Sequence, residues 1–253
     1  MNNILYIPTR YFPAISGAEF YIQRIAEIFQ KSHSYDVKVI TSNAIDFKAL
    51  RNSKGKTIEK KEKYYNRVNN IPIKRFSVDY TQSFKEKLKL IRDLPSFEKL
   101  NLSDGCVKKF ILNGPFLDNF IDTILNEEVP NIDLIHTTFY PYFNLVMALC
   151  LSKALNIPAV CTPFFHFSNP RYNDPQKLEV LEKFDLLVAC TKIEKRELLR
   201  KLNIPSSNIE VIPMGVDFKI FDRVHKKTYK DFSFKKKFFK SIFCFYWTTN
   251  DGI

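Results

Sequence analysis

Hydrophobic positions along the chain recur at two alternating periods, and the alternation itself predicts the fold. Residues 3–8 (NILYIP) form a short apolar run closed by proline. After a loop, Ala18, Ile22, Ile25 and Phe29 return at the three-to-four-residue spacing of one helix face. Residues 36–41 (DVKVIT), 71–78 (IPIKRFSV) and 133–137 (DLIHT) predict a second, third and fourth strand, and residues 141–155 a helix. Residues 157–162 (IPAVCT), 185–190 (DLLVAC) and 209–213 (IEVIP) are further β-rich runs, with helical patterns at 175–183 and 192–202 between them. Strands that are apolar nearly end to end and alternate with helices predict an α/β fold. Its sheet is parallel, doubly wound and Rossmann-like, with right-handed crossovers.

Two stretches depart from this rhythm. Between the second and fourth strands the period is lost, and we read residues 43–104 as an insertion, partly mobile where charge displaces aliphatic residues (KALRNSKGKTIEKKEKYYNRVNN, 48–70). Residues 116–125 (FLDNFIDTIL) then predict the helix that returns the chain to the sheet. Residues 134–152 carry no formal charge, a length that raises a membrane span. His136, Thr137, Thr138, Pro141 and Asn144 inside that run favour a buried strand followed by a packed helix.

Composition narrows the function classes. The 253 residues, 45% hydrophobic and 26% charged, suffice for one large domain with its own core. Six glycines in all, at 17, 55, 105, 114, 215 and 252, exclude GxGxxG, GxxxxGK[ST] and GxSxG motifs. The net charge of +12 resides in residues 48–75, with ten basic and two acidic side chains, and 219–240, with nine and two. Such basic segments suit phosphates or an anionic membrane surface, and nucleic acid only through nonspecific attraction. Five cysteines without CxxC spacing read as reduced thiols. The start MNNILYIPTR lacks a basic n-region and a cleavage site, so a cytoplasmic location is expected.

Open α/β sheets bind ligands at the carboxyl ends of their strands. There PAISGAE (13–19) sets Ser16 and Gly17 at a helix start, where backbone N–H groups and the helix dipole favour a diphosphate. Ser16 and Glu19 also form S-x-x-E, a capping box that would close that helix end upon itself. Thr191 and Glu194 (TKIE) repeat the pattern, and Thr191 is read first as a cap. His136 ends the fourth predicted strand and His166 follows the fifth, both on the ligand edge. There is no Asp-x-Asp, HExxH or paired-cysteine spacing, so no metal is expected.

In this order the segments resemble the N-terminal domain of glycosyltransferase family 4, retaining enzymes of GT-B architecture. PAISGAE is similar to the family's Pro-x-x-Gly-Gly-x-Glu loop with Ser16 in place of the first glycine, and SYDVKVIT (34–41) to its second strand. DLIHTTFYP, IPAVCTPFFH and FDLLVACTKIEKRELLRKLNI resemble its later strands, and IPMGVD (212–217) its passage to a second domain. The resemblance implies sugar transfer from a nucleotide sugar, UDP- or GDP-linked, to a glycan or lipid-linked acceptor without a bound metal. It places Ser16 and Gly17 by the donor diphosphate, makes His166 the catalytic histidine, and sets His136 and Thr191 on the acceptor side. Residues 1–217 would be the acceptor domain and 218–253 a linker and an aberrant basic, aromatic tail, with the donor domain absent. A frameshift or premature stop would explain such a tail. No Glu follows Glu210, so the family's donor-side glutamate pair is missing. The alternatives are a truncated transferase, completed by a donor-domain polypeptide, and a noncatalytic acceptor- or partner-binding module.

Overall fold

Asn2–Pro8 (β1) forms the centre of the sheet because its residues are buried alternately on two sides. Leu5 and Ile7 pack into one apolar cluster, while Ile4 and Tyr6 pack into the other. The computed structural model describes residues 2–32, 34–117, 119–126 and 131–215. Met1–Ile212 forms one compact unit, and Pro213–Ile253 falls in a second. Val216, Asp217 and the tail 218–253 lie outside the described residues.

Gly17–Lys31 (α1) covers the Ile4/Tyr6 face through Tyr21, Ile22 and Ala26. Tyr35–Ser42 (β2) pairs parallel to β1. The hairpin Arg67–Val68 (β3) and Ile71–Phe76 (β4) follows, then Phe84–Arg92 (α2), Asp104–Asn113 (α3) and Phe120–Asn126 (α4). Leu134–Thr138 (β5) returns to the free side of β1. Asn144–Leu155 (α5), Ala159–Thr162 (β6), Pro175–Leu178 (α6), Leu186–Ala189 (β7), Lys192–Lys201 (α7) and Ile209–Val211 (β8) complete the domain. The strand order is β3-β4-β2-β1-β5-β6-β7-β8, parallel throughout except for β3 against β4. The direction of winding therefore reverses between β1 and β5, and this is where the strand ends open a crevice.

The charge-free run 134–152 resolves into β5 and α5. Nine successive residues of α5, Asn144 to Ser152, are buried, so it shows no amphipathic period. Asn144 is the polar member of this core. Its Nδ2 donates to Ile7 O (3.1 Å), Thr137 Oγ1 (3.0 Å) and Thr138 O (3.0 Å), and its Oδ1 accepts from Thr9 Oγ1 (2.8 Å). One side chain thus joins the ends of β1 and β5 at the reversal point.

The insertion packs against the sheet with buried residues of its own. It holds the two-residue edge strand β3, the strand β4 and the helix α2, with α3 beginning at its end, and Ala44, Ala49, Leu50, Ile58 and Tyr65 are buried. Arg75, itself buried, explains how a charged loop is held. It donates to the carbonyls of Tyr65 (3.0 Å), Tyr64 (3.3 Å) and Phe12, tying the loop after β2 to the loop after β1. Burial lowers its pKa to about 10, which leaves it charged at neutral pH. The predicted helix 116–125 begins later, at Phe120, and that at 175–183 splits into α6 and a 3-10 turn, Leu181–Lys183.

Replacing Asn144 by leucine should take the side-chain donor from Thr138 O and the acceptor from the Thr9 hydroxyl, and leave Ile7 O with Thr137 Oγ1 as its side-chain donor. Urea denaturation should register a loss of about 3 kcal/mol. Asn144→Asp should do no better, because an ionised carboxylate cannot donate.

Candidate functional site

The start of α1 is not closed as the capping box predicted. Ser16 takes the extended N-cap conformation, but no side chain caps the first turn. Its hydroxyl donates instead to Glu19 Oε2. The other oxygen, Glu19 Oε1, accepts from Arg10 Nε (2.9 Å) and pairs with Arg10 Nη2 (2.8 Å), with both side chains 3% exposed. A buried guanidinium outcompetes the backbone for this carboxylate, because an unpaired Arg10 would carry a larger desolvation cost. The first-turn amides are left without a side-chain partner and Gly17 is exposed, with open space for 4 Å around any Cβ built there. A helix start in this state attracts an anion.

His136 lies within β5 rather than at its end, since β1 and β5 stay paired as far as Pro8 and Thr138. It is 8% exposed, its Nε2 is 2.9 Å from Thr162 Oγ1, and its ring lies 5.4 Å from that of Tyr6. Burial pushes its pKa down to about 4, so the ring is neutral at neutral pH. Thr162 Oγ1 is also 3.5 Å from Tyr21 of α1. His136 therefore lies beneath α1, joined to Tyr21 through the Thr162 hydroxyl.

His166 is exposed on the loop after β6, edge-on to Tyr172 at 4.9 Å, and partial desolvation lowers its pKa. Two contacts aim that loop. Phe164, in the left-handed region (φ 50°), packs edge-on against Tyr21 of α1 at 5.1 Å. The Phe165 amide donates to Glu194 Oε1 (2.7 Å), while Glu194 Oε2 accepts from Cys190 N (2.7 Å). Burial raises the Glu194 pKa, partly offset by these two amides. Thr191 does cap α7, its Oγ1 accepting from Glu194 N (3.0 Å). Gly17, His166 and Thr191 thus follow β1, β6 and β7 on one edge of the sheet, with Glu194 fixing the β6 and β7 ends together.

An array of rings and guanidinium groups borders the crevice, and the sequence did not signal it. The Arg10 guanidinium lies 3.6 Å over the Phe47 ring, and Phe47 stacks on Tyr142 at 6.4 Å. Phe139, left-handed at φ 76°, meets Tyr142 at 5.0 Å, and Arg171 lies 4.7 Å over Tyr142. Phe47 remains 42% exposed, so the array offers an apolar ring beside cationic donors. Among the described residues no cluster of His, Cys, Asp or Glu is placed to hold a metal ion, and no helix is long and apolar enough to cross a membrane.

The doubly wound, mostly parallel sheet covered by helices is a Rossmann-like fold of the kind found in GT-B glycosyltransferases. The chain belongs to Glycosyltransferase Family 4, whose model matches residues 15–219. Among solved structures it is similar to sucrose-phosphate synthase of Thermosynechococcus elongatus, at 15% identity and TM-score 0.51, covering 87% of this chain and 50% of that one. HepE of Anabaena in complex with UDP and glucose matches at 15% identity and TM-score 0.47, over 87% and 46%. A glycosyltransferase from Rickettsia africae matches at 16% and 0.46, over 87% and 45%. The chain spans about half the length of these structures. No curated protein matches it significantly.

The burial of His136 has a pH signature. Folded, it takes up a proton only near pH 4; unfolded, near 6.5. Between these values the unfolded chain binds more protons. The stability His136 contributes is therefore full above about pH 6.5 and lost as pH falls through about 4, a difference on the order of 3 kcal/mol. Denaturation across this window should show that loss in the wild type, and a correspondingly flatter profile in His136→Gln.

Proposed function

We propose that the chain is the acceptor-side half of a retaining glycosyltransferase that moves a sugar from a UDP- or GDP-sugar to a glycan or lipid-linked acceptor. The observation that carries this reading is the uncapped start of α1, where Gly17 is exposed and Glu19 is committed to Arg10 rather than to the helix end. A departing diphosphate gathers negative charge in the transition state, and preorganised amides at a helix start stabilise that state more than the ground state. Ser16 and Gly17 take the diphosphate in this reading. His166 is the catalytic residue, exposed and with a lowered pKa that favours the neutral ring near pH 7. Thr191 and the Phe47/Tyr142 array belong to the acceptor side, and His136 acts through Thr162 as a positioning residue. No metal takes part.

A donor-binding polypeptide completes the site. The chain works in the cytoplasm, at the inner face of the cell membrane. Lys48, Lys54, Lys56, Lys60 and Lys63, all exposed on the insertion, meet anionic lipid there, each contributing about 1 kcal/mol.

Calorimetric titration with UDP, GDP and their sugar conjugates, with and without a supplied donor-binding domain, tests the reading. The expected result is saturable binding in the completed protein, weakened roughly tenfold by Gly17→Ala. That variant's thermal stability should be unchanged or slightly higher, because its Cβ meets nothing within 4 Å. His166→Ala should keep nucleotide binding and lose transfer. Equal affinity in Gly17→Ala removes the diphosphate from this position. Acceptor binding without donor binding in any mixture makes the chain a noncatalytic acceptor- or partner-binding module.

A further inference from the structure

A glutamate in the third position of a helix ordinarily turns back to the N-cap amide, as Glu86 Oε2 does in accepting from Ser83 N (2.7 Å). Thr191 makes its half of that arrangement at α7, but Glu194 withholds the other half. Its two oxygens take one amide each from outside the helix, Cys190 N after β7 and Phe165 N after β6, both at 2.7 Å. The carboxylate therefore joins two loops, one ending in Thr191 and the other carrying His166.

Glu194 is 6% exposed, and no cation faces it among the described residues. The titratable groups around it are Tyr21 on α1, Cys161 on β6 and the Cys190 thiol, none of which brings positive charge. The two amides are what offset its burial, and only an ionised carboxylate offers a separate acceptor oxygen to each. Protonation turns one oxygen into a donor aimed at an N–H. Burial raises the Glu194 pKa, so this happens at a higher pH than in an exposed glutamate. The Phe165 bond also holds backbone that would otherwise relax. Phe164 takes a left-handed φ of 50°, a region that bulky residues rarely adopt, between the end of β6 and the bonded Phe165 amide. Releasing Phe165 frees that turn, and His166 follows directly.

We propose that Glu194 is the positioning residue of the transfer site, holding His166 and Thr191 at one fixed spacing only while its carboxylate is ionised. The proposal rests on the reading that puts these two residues in that site, and it adds a regulation: acidification uncouples the β6 loop from the end of β7 while the sheet stays paired.

Amide-resolved NMR of the full chain, followed from neutral to mildly acidic pH, tests it. The Phe165 and Cys190 amides should titrate together with a single midpoint. Glu194→Gln keeps the length but offers one acceptor, so at every pH one of the two amides should exchange with solvent at least about tenfold faster. Glu194→Asp keeps the charge but is a methylene too short to span both amides, and it should behave as Glu194→Gln does. His166 supplies the readout that separates positioning from charge. Partial desolvation lowers its pKa, so release of the loop should raise it in both variants. Loss of a nearby negative charge alone would lower it in Glu194→Gln and leave it unmoved in Glu194→Asp. The proposal is overturned if the two amides titrate separately or not at all, if both variants exchange as the wild type does, or if the His166 pKa falls or stays. The wild-type titration needs no variant, so it decides the matter even where a variant fails to fold. No nucleotide is present in these measurements, so they succeed or fail separately from diphosphate binding at α1.

Discussion

The crevice of this domain depends on how Asn144 satisfies the backbone where the winding of the sheet reverses. Beyond Pro8 and Thr138 the central strands part, and their last polar groups would face the packed start of α5. Asn144 supplies donors to β1 and β5 together and accepts from Thr9, so the two strands end in register and their loops diverge from a fixed base. A buried amide with all its bonds made is rigid as well as stabilising, and its value lies in fixing where the following loops begin.

From that base a second polar commitment sets the chemistry. Arg10 leaves β1 into the interior and needs an anion; Glu19 provides it and thereby gives up its role at the helix end. The same guanidinium donates to Ile45 O (2.8 Å) and lies over Phe47, so one charge joins the β1 loop, the start of α1 and the insertion. The insertion is thus part of the site's wall. An open helix start and an aromatic rim follow from where these two charged residues are buried, while Glu194 separately anchors the histidine loop.

Much of the fold could be read from sequence because it rests on local signals. The strands of the sheet core announce themselves as short apolar runs, and Thr191 caps α7 as its pattern required. Where the reading failed, a distant partner had intervened. Ser16 and Glu19 match the capping box as well as Ser83 and Glu86 do, yet only the latter pair forms it, because Arg10 competes at the former. α2 (FKEKLKLIR) was overlooked within a charge-rich segment although its S-x-x-E start was legible. His136 falls inside β5 rather than at its end because pairing with β1 carries the strand to Thr138, beyond the end its apolar run predicts. Phe47, Tyr142 and Arg171 come from three separate loops, and nothing in their local sequence could announce that they meet.

A crystal structure of the chain soaked with UDP is the most direct test of the claim that the burial of Arg10 and Glu19 opens an anion site at α1. The account predicts diphosphate oxygens within hydrogen-bonding distance of the Gly17 and Ala18 amides. A diphosphate seated on the lysines of the insertion, with the start of α1 empty, would contradict it.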